Sequence, residues 1–250
     1  MLVFITGATS GIGKSCAEIF AKNGNDLIIT GRREERLQEV KQHLENTYRI
    51  KVKTLCFDVR DGGAVEKAFA SLSEDLKKID ILINNAGLAA GLSSIQEGSI
   101  SHWERMVDTN IKGLLYVTKI VSNLMIGHKK GHIINIGSIA GKEVYANGNV
   151  YCATKHAVDA LNKGMRIDLL PHGIKVSAIN PGMVETEFSI VRFDGDEDRA
   201  KKVYMGMTPL SPDDIAETAY WIANRPAHVN INDIVIMPSA QASATNVVRV

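Results

Sequence analysis

Seven short apolar segments rich in β-branched residues recur along the 250-residue chain, and longer stretches with helical spacing separate them. This alternation limits the fold most strongly, because strands that alternate with helices pair in parallel through right-handed crossovers. The predicted strands are Leu2 to Thr6, Leu27 to Thr30, Val52 to Phe57, Ile79 to Ile83, Ile133 to Ile136, Val176 to Ile179 and Ile234 to Met237. Between them, apolar residues repeat every three or four positions, as in Leu37, Val40 and Leu44. The sequence therefore predicts an α/β fold with a doubly wound parallel sheet of about seven strands and helices on both faces.

The sequence also predicts one domain over residues 1–250, because no linker, repeat or low-complexity tract divides the chain. With 29 Lys and Arg against 28 Asp and Glu, the formal charge of +1 argues against nucleic acid as a partner. No apolar run approaches the ~18 residues of a membrane span, and the apolar opening is too short for a signal peptide. We therefore expect a soluble cytoplasmic protein without a membrane partner. The three cysteines and the scattered histidines lack metal-ligand spacing, so no metal site is predicted.

The first predicted strand leads directly into a glycine-rich turn, Thr6 to Gly13, which an amphipathic stretch follows. Glycines permit a tight strand-to-helix turn, and the free amides at the helix start then face an anion such as a pyrophosphate. An ordinary glycine turn is the alternative, but the position between the first strand and the first helix favours nucleotide binding. The candidate cofactor contacts here are Gly7, Thr9, Ser10, Gly11, Ile12 and Gly13.

Arg32 and Arg33 follow the second strand, at the position where an acidic residue would bind the ribose 2′-hydroxyl of NAD. Two guanidinium groups can instead neutralise a 2′-phosphate, which favours NADP as the cofactor. The alternative is a solvated helix start, in which Glu34 and Glu35 pair with the two arginines.

Two further segments end at the same edge of the predicted sheet, where ligands bind in folds of this class. Asp58 and Val59 end the third strand, and residues 84–87, which include Asn85, Ala86 and Gly87, end the fourth. The alternative for Asp58 is a helix cap, and the asparagines could instead bridge neighbouring strands or turns.

Ser138, Tyr151 and Lys155 are candidates for acid–base chemistry after the fifth strand. The i, i+4 spacing of Tyr151 and Lys155 places both side chains on one face of a helix, where an ammonium group can stabilise a tyrosinate. A tyrosine with its usual pKa of about 10 is a poor base at neutral pH, so a neighbouring positive charge is needed. Ser138 could polarise a carbonyl or orient a hydroxyl. Alone, the Tyr and Lys spacing usually marks a surface helix; the upstream serine and glycine turn favour catalysis.

Together, the glycine turn, residues 84–87, Asn110, Ser138, Tyr151, Lys155 and Pro181-Gly182 resemble the classical short-chain dehydrogenase/reductases, in the same order and over the whole chain. The resemblance implies a Rossmann-like fold, an oxidoreductase acting on CH–OH groups, and a homotetramer. It also implies that Asn110 serves a water-linked proton relay with Lys155, although a helix-kink or capping asparagine is the alternative. The nicotinamide-side loop that it implies consists of Pro181, Gly182, Met183, Val184 and Thr186.

A narrower resemblance links the chain to the NADP-dependent 3-hydroxy acid dehydrogenases, also called serine 3-dehydrogenases or malonic semialdehyde reductases. It lies in residues 31–33, 84–89, 186–193 and 226–232. The resemblance implies hydride transfer at the 3-hydroxyl carbon of small acids such as serine, allo-threonine and 3-hydroxypropionate. The alternatives are a reductase of other carbonyls, such as 3-oxoacyl thioesters or sugars, and a non-catalytic NADPH-binding scaffold or sensor.

A 3-hydroxy acid also needs its carboxylate bound, and Arg192 is the candidate because a guanidinium binds a carboxylate bidentately. The alternative is a surface arginine paired with the acidic stretch of residues 194–198. Arg192 lies in the predicted substrate loop, about residues 183–207, which lacks a clear strand. We expect this loop either to close over the substrate or to form a fixed surface excursion.

Overall fold

All seven strands form one parallel sheet in the structure, a computed structural model that describes residues 1–250. The strands are β1 (Leu2–Ile5), β2 (Asp26–Gly31), β3 (Val52–Cys56), β4 (Ile81–Asn84), β5 (Gly131–Ile136), β6 (Ile174–Pro181) and β7 (Asp233–Ile236). Their order is β3-β2-β1-β4-β5-β6-β7, and every neighbouring pair is parallel. The predicted fold class is confirmed, and each predicted strand overlaps an observed one.

Nine α-helices connect or follow these strands. The helices are α1 (Gly11–Lys22), α2 (Glu34–Tyr48), α3 (Gly62–Ala70), α4 (Ile100–Val107), α5 (Leu114–His128), α6 (Asn149–Leu169), α7 (Phe188–Arg192), α8 (Glu197–Lys202) and α9 (Pro212–Ala223). None of these helices is both long and apolar enough to cross a membrane. A π-helical turn, Asp108–Gly113, joins α4 to α5.

Two apolar layers cover the sheet, one on each face. Helices α1, α2 and α9 pack on one face, and α2 buries the residues that its spacing predicts, Leu37, Val40 and Leu44. Helices α3 and α5 pack on the other face through side chains such as Phe69 and Val121. The central strands are therefore buried on both sides, which explains their continuous apolar sequence.

The strand order reverses between β1 and β4, because the chain runs outward from β1 to β3 and then returns to β4 beside β1. Ligands bind at such a switch point, outside the carboxyl ends of the strands. The substrate loop rises near this edge and contains no strand, as expected. It contains the short helices α7 and α8, which the Gly and polar pattern of its sequence does not predict.

Candidate active site

A cavity of about 560 Å³ opens at the carboxyl ends of the strands. The candidate cofactor and catalytic residues line it with two exceptions, Gly13 and Asn110, which lie behind its wall. The cavity extends from the glycine turn and Arg33 at one end to Ser138, Tyr151 and Arg192 at the other. Its volume and lining fit a nucleotide bound at the sheet edge beside a small substrate.

The glycine turn adopts the conformation that its residues predict. Gly7 and Gly11 have left-handed backbones, with φ of +68° and +52°. A Cβ atom on Gly13 would collide with the Gly7 carbonyl oxygen and the Asn85 side chain. Helix α1 therefore begins close against the end of β1, its first residues Gly11 and Ile12 line the cavity, and no side chain caps its first amides, which leaves them free for an anion.

Arg33 lies directly beside this turn. Its guanidinium donates hydrogen bonds to the Thr9 hydroxyl at 2.9 Å and the Ser10 hydroxyl at 3.2 Å. A guanidinium with two adjacent hydroxyls is a donor set that suits a phosphate monoester. Arg32 instead reaches Asp58, at 3.6 Å between nitrogen and oxygen. Neither arginine pairs with the acidic residues that follow in sequence, so the alternative pairing with Glu34 and Glu35 is wrong.

Asp58 and Asn85 each make protein contacts at the cavity wall. Asp58 accepts hydrogen bonds from Arg60, and its pKa is held below the usual value because these bonds and the charge of Arg32 outweigh the effect of burial. Asn85 donates to the backbone oxygens of Thr6 at 2.9 Å and Gly7 at 3.1 Å. It therefore bridges the ends of β1 and β4, as one interpretation of the sequence predicts.

Ser138, Tyr151 and Lys155 meet at the other end of the cavity. Ser138 follows β5 and accepts a hydrogen bond from the Ala140 amide at 3.0 Å, which fixes the turn that carries it. Tyr151 and Lys155 lie one turn apart near the start of α6, and both are buried. The Lys155 ammonium donates to the Ile136 carbonyl at 3.0 Å, at the end of β5.

Burial dominates the ionisation of these groups. It raises the pKa of Tyr151 above its usual value, while the Ser138 hydroxyl and the charge of Arg192 act in the opposite direction. Burial lowers the pKa of Lys155 to about 8. Lys155 is not among the groups that shift the pKa of Tyr151 in this structure, where its ammonium donates to the Ile136 carbonyl, so its effect on the phenol stays a prediction.

Asn110 lies in the π-helical turn and is fully buried. Its side chain forms a pair of hydrogen bonds with the backbone of Leu88, each 2.8 Å long, and also donates to the Thr154 hydroxyl at 3.0 Å. A Cβ atom built on Gly87 would lie 3.4 Å from the Asn110 oxygen and 3.6 Å from the Lys155 nitrogen. Asn110 therefore positions the segment after β4 against α6, close to the lysine.

Arg192, at the end of α7, points into the site and makes no ion pair with the acidic residues that follow it. It donates to the Tyr145 hydroxyl at 3.0 Å, and its guanidinium lies 5.6 Å from the ring centres of Tyr145 and Tyr151. The expected alternative pairing is wrong: Asp194 pairs with Arg105 and His102 of α4. Arg192 is therefore available to an anion in the cavity.

Sequence reasoning missed several residues that shape this site. Tyr145 contacts Arg192, and Phe188 packs edge-to-face on Tyr151 with ring centres 5.7 Å apart. The side-chain oxygen of Gln241 accepts from the Met183 amide at 2.8 Å, although 58 residues separate them. Glu187 pairs with Arg33 across the mouth of the cavity. No motif or spacing signals these contacts, because each depends on segments that are distant in sequence.

A comparison with protein families accounts for most of this arrangement. Residues 1–196 match the model of the short chain dehydrogenase family. The chain is a short-chain dehydrogenase. The turn, Ser138, Tyr151 and Lys155 all lie within the matched part of this dehydrogenase, whereas Gln241 and the helix α9 follow it.

Close relatives cover nearly the whole dehydrogenase. The NADP-dependent 3-hydroxy acid dehydrogenase YdfG of Salmonella typhi is 48% identical over 245 residues, which are 98% of this chain and 97% of the relative. The serine 3-dehydrogenase of Agrobacterium fabrum is 42% identical over 242 residues, 97% and 95% of the two chains. A solved structure described as the closed form of serine dehydrogenase complexed with NADP⁺ matches all of both chains, with a TM-score of 0.93 and 45% identity.

Proposed function

We propose that this protein is an NADP-dependent dehydrogenase of small 3-hydroxy acids, which transfers a hydride between the nicotinamide and the carbon that bears the 3-hydroxyl. The observation that carries the proposal is the position of Arg192. It has no carboxylate partner and lies beside Tyr151, in the same cavity as the glycine turn. The names of the close relatives support the same substrate class. When bound, NADP supplies the redox chemistry, and the protein supplies binding, orientation and proton transfer.

Tyr151 is the proton-exchanging residue in this proposal. Because burial raises its pKa, the phenol carries its proton at neutral pH and can donate it to a substrate oxygen during carbonyl reduction. In the oxidation direction, the charge of Arg192 lowers the pKa of Tyr151 and so favours the tyrosinate, which accepts the proton of the substrate hydroxyl. Ser138 donates a second hydrogen bond to the same substrate oxygen.

Lys155 and Asn110 position groups near Tyr151 in this proposal. The buried Lys155 ammonium is held at the end of β5 by the Ile136 carbonyl, and it lines the cavity, where it would hold the nicotinamide ribose. Asn110 orders the adjacent backbone through its paired bonds to Leu88, so that a proton relay to the lysine can form there.

The cofactor end of the cavity holds the dinucleotide. Arg33, Thr9 and Ser10 bind the 2′-phosphate, and the amides of the glycine turn bind the pyrophosphate. Asp58 and Val59, which also line the cavity, would contact the adenine. The remaining contacts come from residues that line the cavity beside β4 and β6, namely Asn85, Ala86, Gly87, Pro181, Gly182, Met183, Val184 and Thr186.

Initial rates test the function directly. The panel contains L-serine, L-allo-threonine, 3-hydroxypropionate and uncharged alcohols of the same size, each with NADP and with NAD. We expect oxidation of the hydroxy acids that prefers NADP. Tyr151→Phe should lower kcat by about 10³-fold or more, because it removes the acid–base group, while NADPH binding persists.

Other outcomes would assign the protein differently. Activity on uncharged alcohols or on 3-oxoacyl thioesters alone would reject the 3-hydroxy acid assignment. A protein that binds NADPH without turnover on any carbonyl in the panel would be a scaffold or sensor, and Tyr151→Phe would then have no rate to lower.

We also propose that residues 1–250 act as one catalytic domain in which residues 183–207 close over the substrate. Gly195 and Gly206, both with left-handed backbones, flank α8 and permit a change of chain direction. Limited proteolysis should therefore cut this segment more slowly when NADP and substrate are present. A cleavage pattern that ignores both ligands would reject closure.

The assembly that we propose is a homotetramer in the cytoplasm. Large apolar side chains are exposed on two helical surfaces, Leu115 and Tyr116 on α5 and Ile167 on α6, and such surfaces commonly pair helices between subunits. The three free cysteines suit a reducing compartment. Light scattering on the purified protein tests the assembly: a mass of about four chains is expected, and a monomer would reject it.

A further inference from the structure

Glu187 joins the substrate loop to the cofactor end of the cavity. Its carboxylate lies 2.9 Å from the Arg36 guanidinium and 3.3 Å from that of Arg33. Arg33 is also the arginine that contacts Thr9 and Ser10 of the glycine turn. One guanidinium therefore serves both the glycine turn and the loop over the substrate.

We propose that the Glu187 carboxylate takes the place of the cofactor's 2′-phosphate on Arg33 and Arg36, and that the phosphate displaces it when NADP binds. Glu187 is then a specificity-determining residue, because only a 2′-phosphorylated nucleotide breaks its contacts. This inference rests on the assignment of NADP as the cofactor.

The local charges support a competition. A phosphate seated on Arg33 and the two hydroxyls would lie next to the Glu187 carboxylate, since both anions use the same guanidinium. Like charges at this distance repel, and a phosphate monoester carries up to two negative charges. The phosphate also gains the Thr9 and Ser10 hydroxyls, which Glu187 does not contact. The phosphate dianion should therefore bind Arg33 in preference to the Glu187 carboxylate.

The exposure of the three side chains makes the exchange feasible. Arg33, Arg36 and Glu187 are 44%, 45% and 43% exposed, so water partly screens their ion pairs. Ion pairs of this kind contribute little to stability and break readily. A buried pair would instead resist displacement.

The position of Glu187 links the cofactor end to the catalytic end. It immediately precedes α7, whose first residue, Phe188, packs on the Tyr151 ring. The same helix ends at Arg192, the candidate carboxylate contact. Release of Glu187 therefore removes the contact that ties this helix to the two arginines, and NAD, without a 2′-phosphate, leaves the contacts of Glu187 in place.

Binding measurements with two nucleotides isolate the phosphate. Adenosine 2′,5′-bisphosphate carries the 2′-phosphate and adenosine 5′-monophosphate lacks it, and neither molecule reaches α7 through a nicotinamide. In calorimetry, Glu187→Gln should tighten the bisphosphate by about fivefold, equivalent to about 1 kcal/mol, because the competing anion is gone. The monophosphate should change by less than about twofold on the same scale.

Glu35→Gln is the matched control. It removes one negative charge from the start of α2 near the same arginines, but Glu35 makes no ion pair in the structure. We expect it to leave both affinities within about twofold. Equal tightening by Glu35→Gln, equal tightening of both nucleotides by Glu187→Gln, or weaker bisphosphate binding to Glu187→Gln would each overturn the proposal.

Hydrogen exchange tests the link to α7. In the wild-type protein, saturating bisphosphate should change amide exchange in residues 188–193 more than saturating monophosphate does, and the difference should vanish in Glu187→Gln. Identical exchange with both nucleotides in the wild type would overturn the link. An incorrect assignment of NADP as the cofactor would give a different result, because the wild-type protein would then bind both nucleotides with equal affinity.

Discussion

Lys155 shows how burial rather than sequence spacing sets the chemistry of a residue. Its i, i+4 spacing to Tyr151 predicts a charge that stabilises tyrosinate, and in the structure the ammonium donates to the Ile136 carbonyl at 3.0 Å. Burial alone lowers the pKa of the lysine to about 8. Lys155 therefore loses its charge within an experimentally accessible pH range.

We predict an alkaline limb near pH 8 in the pH profile of kcat/KM for NADPH, measured for carbonyl reduction. This parameter reports ionisations of the free enzyme, and Lys155 loses its proton as the pH rises through its lowered pKa. Tyr151 stays protonated there, because its pKa is raised. Lys163→Gln, an exposed lysine on the same helix, should keep the limb. A profile that is flat to pH 10 would contradict the prediction.

Arg192 supports a second residue-scale prediction. Arg192→Ala should raise KM for 3-hydroxypropionate by about tenfold or more, because a charged hydrogen-bond partner of the carboxylate is lost. The KM for an uncharged alcohol should stay nearly constant. The control is Arg199→Ala. Arg199 is an exposed arginine in the same loop, and its guanidinium lies over the Phe193 ring. Equal effects of Arg192→Ala on both substrates would show that the guanidinium does not bind the carboxylate.

The π-helical turn between α4 and α5 is the element that holds the catalytic helix in place. It places Asn110 where its side chain satisfies both polar backbone groups of Leu88 and reaches Thr154 of α6. Three segments that are distant in sequence, residues 88, 110 and 154, thus meet at one amide.

We predict that Asn110→Ala lowers the free energy of unfolding by about 2–4 kcal/mol, because it leaves two buried backbone groups of Leu88 without partners. Urea unfolding measures the change. Asn123→Ala is the matched control: this exposed asparagine of α5 bonds only the Lys119 carbonyl, so its loss should cost about 0.5 kcal/mol or less. Equal losses in the two variants would contradict the structural role of Asn110.

The molecule as a whole contains one buried histidine that couples its stability to pH. His132 of β5 lies inside the sheet layer, 2.8 Å from the Ser177 hydroxyl of β6. Burial lowers its pKa to about 3. As the pH falls below about 6.5, the unfolded chain takes up a proton at this residue while the folded protein does not, so the folded state loses stability.

We predict that this residue alone costs about 2 kcal/mol of stability between pH 8 and pH 5, which follows from the difference between its folded and unfolded pKa values. Urea unfolding at both pH values should therefore show a smaller acid loss in His132→Gln than in the wild type. The same substitution at the exposed His172 should leave the acid loss unchanged. An identical pH dependence in the wild type and His132→Gln would contradict the prediction.

Local patterns in the sequence determined the architecture and most of the candidate site. Apolar runs separated by helical stretches leave few alternatives to a parallel sheet, because the crossovers are right-handed and the strands are buried on both faces. Much of the site could be predicted from the sequence, because its residues lie at strand ends or at helical spacing. These residues are the glycine turn, Arg33, Ser138, Tyr151 and Lys155. Once the strands pair in parallel, all of these positions reach the same edge.

The tertiary structure decided which partners these residues take. Arg33 and Arg192 carry the same charge, yet one bridges Glu187 and the glycine turn while the other lies over two aromatic rings. Gln241 reaches Met183 from the far end of the chain. Such contacts join segments that folding alone brings together, and a pKa depends on the burial that results. Sequence patterns extend over only a few residues and therefore do not specify which side chains from distant segments come into contact.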